Sequence, residues 1–154
     1  MHFLQVHTQT EILPVPVIFD NAETRDLVLQ DQFIKEIIQK GEAAQIALFT
    51  VGTTQANALL FKLGYLDPEQ IEFLKKNAVG DILSQFITQD DKLANLKLAK
   101  RTVSLPLNKL KEKRYSILVA GGVEKLSSIH ACLLGGYANV LITDINNAQK
   151  LAKL

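Results

Sequence analysis

A pair of glycines followed by a lysine is the stretch of this sequence best suited to hold an anion. Gly121 and Gly122 follow the apolar run 116–120, and Lys125 comes shortly after them. Consecutive glycines let a backbone turn tightly and approach a ligand closely. A lysine in the first turn of the next helix interacts unfavourably with the positive end of the helix dipole. A bound phosphate at that position would make the local electrostatic interaction favourable. The alternative is a plain turn followed by a solvated surface lysine.

Two further segments carry groups that could bind a ligand. Gly52, Thr53 and Thr54 offer backbone N–H groups and hydroxyls, which suit either a ligand shell or a helix cap. This segment lacks both the GxGxxG and the GxxxxGK[ST] patterns, which disfavours a dinucleotide or a magnesium-bound nucleotide triphosphate. Asp81 lies between apolar residues. Its carboxylate either accepts hydrogen bonds within a turn or a helix cap or, if it lies at the edge of a crevice, accepts hydrogen bonds from sugar hydroxyls.

The sequence offers no convincing set of catalytic or metal-binding residues. One cysteine, Cys132, and three scattered histidines, His2, His7 and His130, do not have the spacing of a zinc site. A nucleophile, a base and an orienting group cannot be named together, and a lone cysteine is more often a small core residue. We therefore expect binding rather than catalysis, with no metal and no cofactor.

Three short apolar runs, at 46–51, 116–120 and 140–143, predict the strands that position these groups. Each run is followed by a turn and a helical segment, as in parallel sheets built from βαβ units. Nearly continuous apolar runs are typical of strands covered by helices on both faces. The carboxyl ends of parallel strands meet at one edge of the sheet, where ligands of such folds bind. The sequence therefore predicts a single α/β domain with its ligand at that edge.

Capping residues and apolar stripes predict the helices. One helix is expected from Asp20 or Asn21 to a stop at Gly41, and another from Asp67, whose segment has the pattern of a capping box. A helix after Gly122 is expected to end at Gly135, and a short helix ends the chain. The residues expected to face inward on the helix after Gly122 are Leu126, Ile129, Leu133 and Leu134. The proline-rich segment 13–19 can pair only at an edge.

Composition excludes several classes of protein. The chain has 154 residues, of which 47% are apolar, and a formal net charge of +1. A single cysteine allows no internal disulfide, and no apolar run approaches the roughly 20 residues of a membrane span. The N-terminus lacks the pattern of a signal peptide, so a cytoplasmic location is expected.

The small net charge conceals a basic band at residues 92–114, which holds 8 basic and 1 acidic side chains. The alternation of Leu96, Leu98 and Val103 predicts a strand or hairpin with solvated lysines. Binding of a nucleic-acid backbone is the alternative. Arg101 is an exception, because it could point into the crevice.

Taken together, the motifs resemble the sugar-binding domain of SorC-type bacterial transcriptional regulators. The resemblance covers nearly the whole chain and depends on the order and spacing of its motifs rather than on any one of them. These are Leu-Pro-Val-Pro at 13–16, Val-Gly at 51–52, Ala-Val-Gly-Asp-Ile at 78–82, Arg101, Ala-Gly-Gly-x-x-Lys at 120–125, Gly-Gly-Tyr-x-Asn-Val-Leu-Ile-Thr-Asp at 135–144 and Ala148.

The resemblance implies a fold like that of the sugar-phosphate isomerases of the NagB/RpiA type, used to sense an effector. Gly52 and Thr53 would line the pocket and Asp81 would meet sugar hydroxyls, with Gln85 as a neighbour. Gly121, Gly122 and Lys125 would hold the sugar or its phosphate. Members of the family pair this domain with an N-terminal helix-turn-helix domain, so the partners implied are a phosphorylated sugar and, through that other domain, DNA.

The chain departs from the family pattern at several positions. Thr50 stands where a glycine is common, Gln85 where an arginine is frequent, and Phe86-Ile87-Thr88 in place of Phe-Phe-Asp. The match begins well inside the family pattern, so we expect residues 1–154 to be one partial effector domain without a DNA-binding domain. A homo-oligomer is expected. The alternatives are an isomerase-like enzyme of the same fold and an oligomerisation module without a ligand.

Overall fold

A computed structural model describes residues 10–154 of the chain. The strands, in chain order, are β1 (Ile46–Phe49), β2 (Gly80–Ile82), β3 (Gln85–Ile87), β4 (Tyr115–Val119) and β5 (Val140–Ile142). The α-helices are α1 (Ala22–Val28), α2 (Gln32–Ala43), α3 (Leu59–Lys62), α4 (Pro68–Asn77), α5 (Leu96–Arg101), α6 (Leu107–Lys111), α7 (Leu126–Leu134) and α8 (Ile145–Leu151). A 3-10 turn, Val123–Lys125, leads into α7.

The three predicted strands form one parallel sheet in the order β1-β4-β5. Leu48 lies opposite Ile117, which in turn lies opposite Val140. Parallel neighbours require a crossover, and α7 provides the one between β4 and β5. The α/β class predicted from the sequence is therefore confirmed.

One face of this sheet packs on the main core. Phe49 of β1 and Leu118 of β4 are buried together with Ile129 and Cys132 of α7. Burying side chains of this size stabilises the fold by roughly 1.5 to 3 kcal/mol each. The helix after Gly122 therefore packs as its apolar residues predict, except that Leu134 is 62% exposed and does not face inward.

The other face of the sheet is uncovered by residues 10–154. Its side chains include Ile46, Leu48, Val119 and Ile142, which are between 40% and 71% exposed. The prediction of helices on both faces is therefore not met in this part of the chain. The apolar runs have the composition of strands that are buried on both faces, but within the described residues helices cover only one face of the sheet.

The hairpin of β2 and β3 joins the sheet edge at the end of β1. Val51 makes an antiparallel bridge with Ile82, and the Gly52 N–H donates to the Asp81 carbonyl at 2.9 Å. The turn residues Leu83 and Ser84 have φ values of 49° and 65°. Two consecutive left-handed residues match the type I′ turn, whose twist suits a tight hairpin. This turn fixes Asp81 beside the end of β1.

Side-chain caps place the helices before and after β1. Asp67 forms the predicted capping box with Gln70, and Asn21 accepts from the Thr24 N–H at 2.8 Å. The single helix predicted from residue 21 to Gly41 is instead two, because Asp31 caps a new helix at α2. Gly41 lies inside α2 rather than at its end.

The basic band is helical rather than a strand or hairpin. Asn95 caps α5 by accepting from the Leu98 N–H at 3.0 Å, and α6 follows within the same band. Lys113 is not solvated: it is 6% exposed and donates to the carbonyl of Gly41 at 2.9 Å, and to that of Glu42. The charge of Lys113 therefore stabilises the C-terminal end of α2.

Arg101 ties three segments together instead of pointing into the crevice. Its guanidinium donates to the carbonyls of Phe19 and Tyr65 at 2.7 and 3.2 Å and to Gln70 Oε1 at 3.2 Å. The proline-rich segment makes one isolated antiparallel bridge, between Ile18 and Thr102, which lies outside both sheets, so the expected pairing at a sheet edge is not observed. Among residues 10–154, no helix combines the length and apolar character needed to cross a membrane.

Candidate functional site

A cavity of about 510 Å³ opens where β1 ends, between the β2–β3 hairpin and the 3-10 turn before α7. We call it the strand-end cavity. Its polar lining comes from the segments around Gly52 and Lys125 and from the β2–β3 hairpin, and most of its apolar lining comes from β1 and α3. The lining residues are Leu48, Phe49, Thr50, Val51, Gly52, Thr53, Asn57, Ala58, Leu59, Leu60, Asp81, Leu83, Ser84, Glu124 and Lys125.

Gly52 and Asp81 lie against each other at the floor of this cavity. A Cβ built on Gly52 would overlap Oδ1 of Asp81, so only glycine fits beside this carboxylate. Gly80 is similarly enclosed, because a Cβ there would meet the Gly52 carbonyl and Ser128. The glycines therefore let the end of β1 and the hairpin approach closely enough to direct the Asp81 carboxylate into the cavity.

The Asp81 carboxylate is largely buried, and its electrostatic environment is unusual. Burial raises its pKa to about 6, although the Ser84 N–H and the charge of Lys125 both act in the opposite direction. The Ser84 N–H donates to Oδ2 at 3.0 Å. Because the hairpin turn supplies that N–H, the left-handed backbone at Ser84 helps to orient the carboxylate. A ligand hydroxyl that donates to Asp81 would stabilise its charged form.

Lys125 enters the same cavity from the opposite side. Its Nζ lies 3.4 Å from Oγ1 of Thr50, at the end of β1. Glu124 also lines the cavity, so the charged groups around it are two carboxylates and one ammonium. The sequence pattern does not identify Glu124, Ser84 or Asn57 as lining residues.

Gly121 and Gly122 form the turn that carries Lys125 to the cavity, but they are not among its lining residues. Gly122 has φ of 98°, a conformation that favours glycine. Its N–H donates to Oδ2 of Asp144 at 2.9 Å, and its carbonyl accepts from the Lys125 N–H at 3.1 Å. The three predicted strand ends therefore meet, with Asp144 behind the turn.

The remaining predicted residues divide between the cavity and the surrounding structure. Thr53 lines the cavity, and its Oγ1 accepts from the Gln55 N–H at 3.3 Å. Thr54 donates to the carbonyl of Ala78 at 3.3 Å, which is a structural role. Gln85 lies outside the lining: its Nε2 donates to Ser104 Oγ and to the Leu105 carbonyl, each at 3.1 Å. A ligand role for Gln85 stays a prediction.

The side chains that could supply other chemistry lie elsewhere. Cys132 is fully buried in the core, as expected, and burial together with Asp91 raises its pKa to about 12. Its reactive thiolate is therefore scarce at neutral pH. Within residues 10–154 no group of three or more His, Cys, Asp or Glu side chains could hold a metal ion. His2 and His7 lie outside the described residues.

Comparison with protein families places the chain in one of them. The family model described as "Putative sugar-binding domain" matches residues 4–153. The deoxyribonucleoside regulator of Bacillus subtilis is 49% identical over 144 residues, which are 94% of this chain and 46% of that protein. The chain thus spans about half the length of this relative.

Solved structures agree with the fold. A DeoR family transcriptional regulator from Listeria monocytogenes superposes with a TM-score of 0.84 at 26% identity, over 92% of this chain and 57% of that chain. The full-length sorbitol operon regulator SorC from Klebsiella pneumoniae gives a TM-score of 0.78 at 30% identity, over 88% of this chain and 44% of that chain. The fold is Rossmann-like α/β, and the chain belongs to the family of sugar-binding domains found in SorC-type bacterial transcriptional regulators.

Proposed function

We propose that the chain is the effector-sensing domain of a sugar-responsive transcriptional regulator and that it binds a phosphorylated sugar in the strand-end cavity. One observation carries the proposal: the Asp81 carboxylate and the Lys125 ammonium line the same cavity. A carboxylate accepts hydrogen bonds from hydroxyls, whereas an ammonium group donates to phosphate. A sugar phosphate presents both kinds of group on one small molecule.

The rest of the lining supports a ligand of this class. Gly52 and Thr53 line the cavity at the end of β1, and Leu48 and Leu60 provide an apolar wall for the carbon face of a sugar. The volume of about 510 Å³ is that of a small-molecule site. In this proposal Gly121 and Gly122 contribute backbone groups next to the phosphate, and Gln85 would have to leave Ser104 to reach the ligand.

Sensing rather than catalysis is the role that we assign to the cavity. The relatives named above are transcriptional regulators. Burial raises the pKa of the Asp81 carboxyl, and Glu124 is the other carboxylate of the lining, but no histidine or cysteine of residues 10–154 lines the cavity beside them. We infer that the bound sugar changes the conformation or the association of the domain instead of being converted.

The proposal extends to the regulator as a whole. Its DNA contacts would be made by a part of the protein other than these 154 residues, which would act as one effector domain within it. Effector and DNA would meet this protein in the bacterial cytoplasm. Symmetric assembly would bring two such domains together, because most regulators of palindromic operators are homo-oligomers.

A thermal-shift screen of sugar phosphates and their parent sugars tests the proposal. At least one phosphorylated sugar should raise the melting temperature of the wild-type protein, and its unphosphorylated form should not. Lys125→Ala should weaken the response by about 10- to 100-fold in ligand concentration, the usual loss for a hydrogen bond to a charged group. Lys97→Ala removes an exposed lysine of α5 and is the matched control.

Two outcomes would count against the proposal. Equal responses of the wild-type protein and Lys125→Ala would remove Lys125 from the site. Turnover of an aldose phosphate or a ketose phosphate by the wild-type protein would replace sensing with isomerase-type catalysis.

A further inference from the structure

Two residues that do not line the strand-end cavity hold the turn from which Lys125 enters it. Asp144, at the end of β5, accepts from the Gly122 N–H through Oδ2 at 2.9 Å. Asn147, in the first turn of α8, donates from Nδ2 to the Gly122 carbonyl at 3.0 Å. Both polar groups of the Gly122 backbone are therefore bound by side chains from the next strand–helix connection.

The two clamping side chains also hold each other. Asn147 Nδ2 donates to Asp144 Oδ2 at 2.9 Å, and the Asn147 N–H donates to Oδ1 of Asp144 at 3.0 Å. Asn147 is 1% exposed, and Oδ1 of its side chain has no hydrogen-bond partner. An unpartnered buried oxygen costs stability, so packing alone would favour an apolar residue at this position.

The clamp acts on a short segment whose backbone turns through a left-handed glycine. Gly122 adopts φ of 98°, and its carbonyl accepts from the Lys125 N–H at 3.1 Å to close the 3-10 turn. Gly121 packs close to the clamp as well, since a Cβ there would lie 3.2 Å from Asp144 Oδ2. Only two residues lie between the clamped glycine and the lysine. A rotation of the Gly122 peptide would therefore redirect the Lys125 side chain.

We propose that Asp144 and Asn147 are positioning residues for ligand binding, which hold the Gly121–Gly122 turn so that Lys125 points into the strand-end cavity. The inference rests on the proposed function, because its effect is measured as binding of a sugar phosphate. It assigns this role to two residues that are not among those lining the cavity.

The test compares calorimetric affinities for the sugar phosphate with the largest thermal shift. Asn147→Leu removes both hydrogen bonds donated by Nδ2 and keeps a side chain of similar volume. It should weaken binding about 5- to 10-fold, which is a part of the loss expected for Lys125→Ala. In the Lys125→Ala background the same change should have less than about a twofold effect, because the two residues act as one unit. Asn146→Leu, on the exposed side of α8, is the matched control and should bind as the wild type does.

A second variant keeps the test valid if Asn147→Leu does not fold. Asp144→Asn retains an oxygen that can cap α8 but places an amide against the Gly122 N–H, so it should show the same dependence on Lys125. Wild-type affinity for Asn147→Leu and Asp144→Asn would overturn the inference, and so would an equal loss with and without Lys125. If the wild-type protein binds no sugar phosphate, the proposed function itself has failed, which is a different result.

Discussion

At the scale of single residues, Asp81 shows how the site conflicts with the stability of the fold. The carboxylate is buried by the close approach of Gly52 and the hairpin, and its pKa is raised to about 6. A protein selected for stability alone would place an amide or an apolar side chain there. The cost of burying this charge is explained if a ligand hydroxyl donates to the carboxylate when the effector is bound.

Replacing Asp81 by Asn should change how stability depends on pH. The folded protein retains a proton on Asp81 up to about pH 6, whereas the unfolded chain releases it near pH 3.8. The free energy of unfolding of the wild type therefore falls as the pH rises through this window, by at most about 3 kcal/mol. Asp81→Asn removes that loss, so its stability relative to wild type should increase between pH 4 and pH 7.

Urea unfolding at pH 4.5 and pH 7.5 measures this difference. Asp90→Asn, which removes a carboxylate at an exposed position, is the matched control. A stability difference between Asp81→Asn and the wild type that is the same at both pH values would show that Asp81 is not buried as described.

Gly52→Ala tests the close approach directly. The added methyl group would overlap Asp81 Oδ1, so the hairpin or the carboxylate must move. We expect a loss of about 1 to 3 kcal/mol in the free energy of unfolding, together with loss of sugar-phosphate binding. Gly41→Ala is the contrasting control, because no atom lies within 4 Å of a Cβ built on Gly41. Alanine at this position of α2 should stabilise the helix by about 0.5 to 1 kcal/mol relative to glycine. Equal effects of the two substitutions would contradict this packing.

At the scale of elements, the β2–β3 hairpin determines the shape of the site. Its turn has two left-handed residues, Leu83 and Ser84, neither of which is a glycine. The Ser84 N–H is also the donor to Asp81 Oδ2, at 3.0 Å. The hairpin therefore accepts backbone strain at the position where it orients the carboxylate.

Ser84→Gly should relieve part of that strain. Glycine adopts positive φ without steric cost, so the free energy of unfolding should rise by about 0.5 to 1 kcal/mol while the N–H that binds Asp81 is kept. Chemical denaturation measures the change. Ser127→Gly, at an exposed position of α7, should lower stability by a similar amount. A loss of stability in Ser84→Gly would show that the serine side chain stabilises the turn.

Local chemistry determines which elements could be predicted from the sequence. The capping box at Asp67 and the parallel strands follow from short-range patterns, and both are confirmed. In the basic band the alternation of Leu96, Leu98 and Val103 predicts a strand or hairpin, and this prediction is wrong because Asn95 caps a helix there. Asp31 likewise starts a helix that the apolar stripe alone does not indicate. Side-chain caps outweigh periodicity in segments this short.

The candidate site could be predicted in part for a related reason. The edge of a parallel sheet brings the strand ends together, so the meeting of the Gly52 and Lys125 segments follows from topology. The position of the Asp81 carboxylate depends on the β2–β3 hairpin. The turn of this hairpin has no glycine and no asparagine, so no local sequence signal predicts the hairpin. The contacts of Asp144 and Asn147 with Gly122 depend on side-chain directions, which a strand-and-helix pattern does not specify.

At the scale of the whole molecule, the sheet is covered on one side by residues 10–154. Leu118 is fully buried beneath α7, whereas Ile142 on the opposite face is 55% exposed. In the described residues the hydrophobic stabilisation of the sheet therefore comes from one layer of helices. The exposed side chains contribute little to it.

Leu118→Ala and Ile142→Ala should differ strongly in stability. Leu118→Ala should lower the free energy of unfolding by about 2 to 5 kcal/mol, the range for truncating a large core side chain. Ile142→Ala should lower it by less than about 1 kcal/mol, as at surface positions. Urea unfolding of both variants measures this contrast. Losses of similar size would mean that the second face is covered in solution.

In the proposed function the strand-end cavity binds a phosphorylated sugar between Asp81 and Lys125. Isothermal titration calorimetry at pH 8, where the wild-type carboxylate is ionised, tests it most directly with one sugar phosphate and its parent sugar. We expect saturable binding of the phosphorylated form alone, weakened about 10- to 100-fold by Lys125→Ala. Equal affinities for the sugar and its phosphate, or an affinity unchanged by Lys125→Ala, would contradict it.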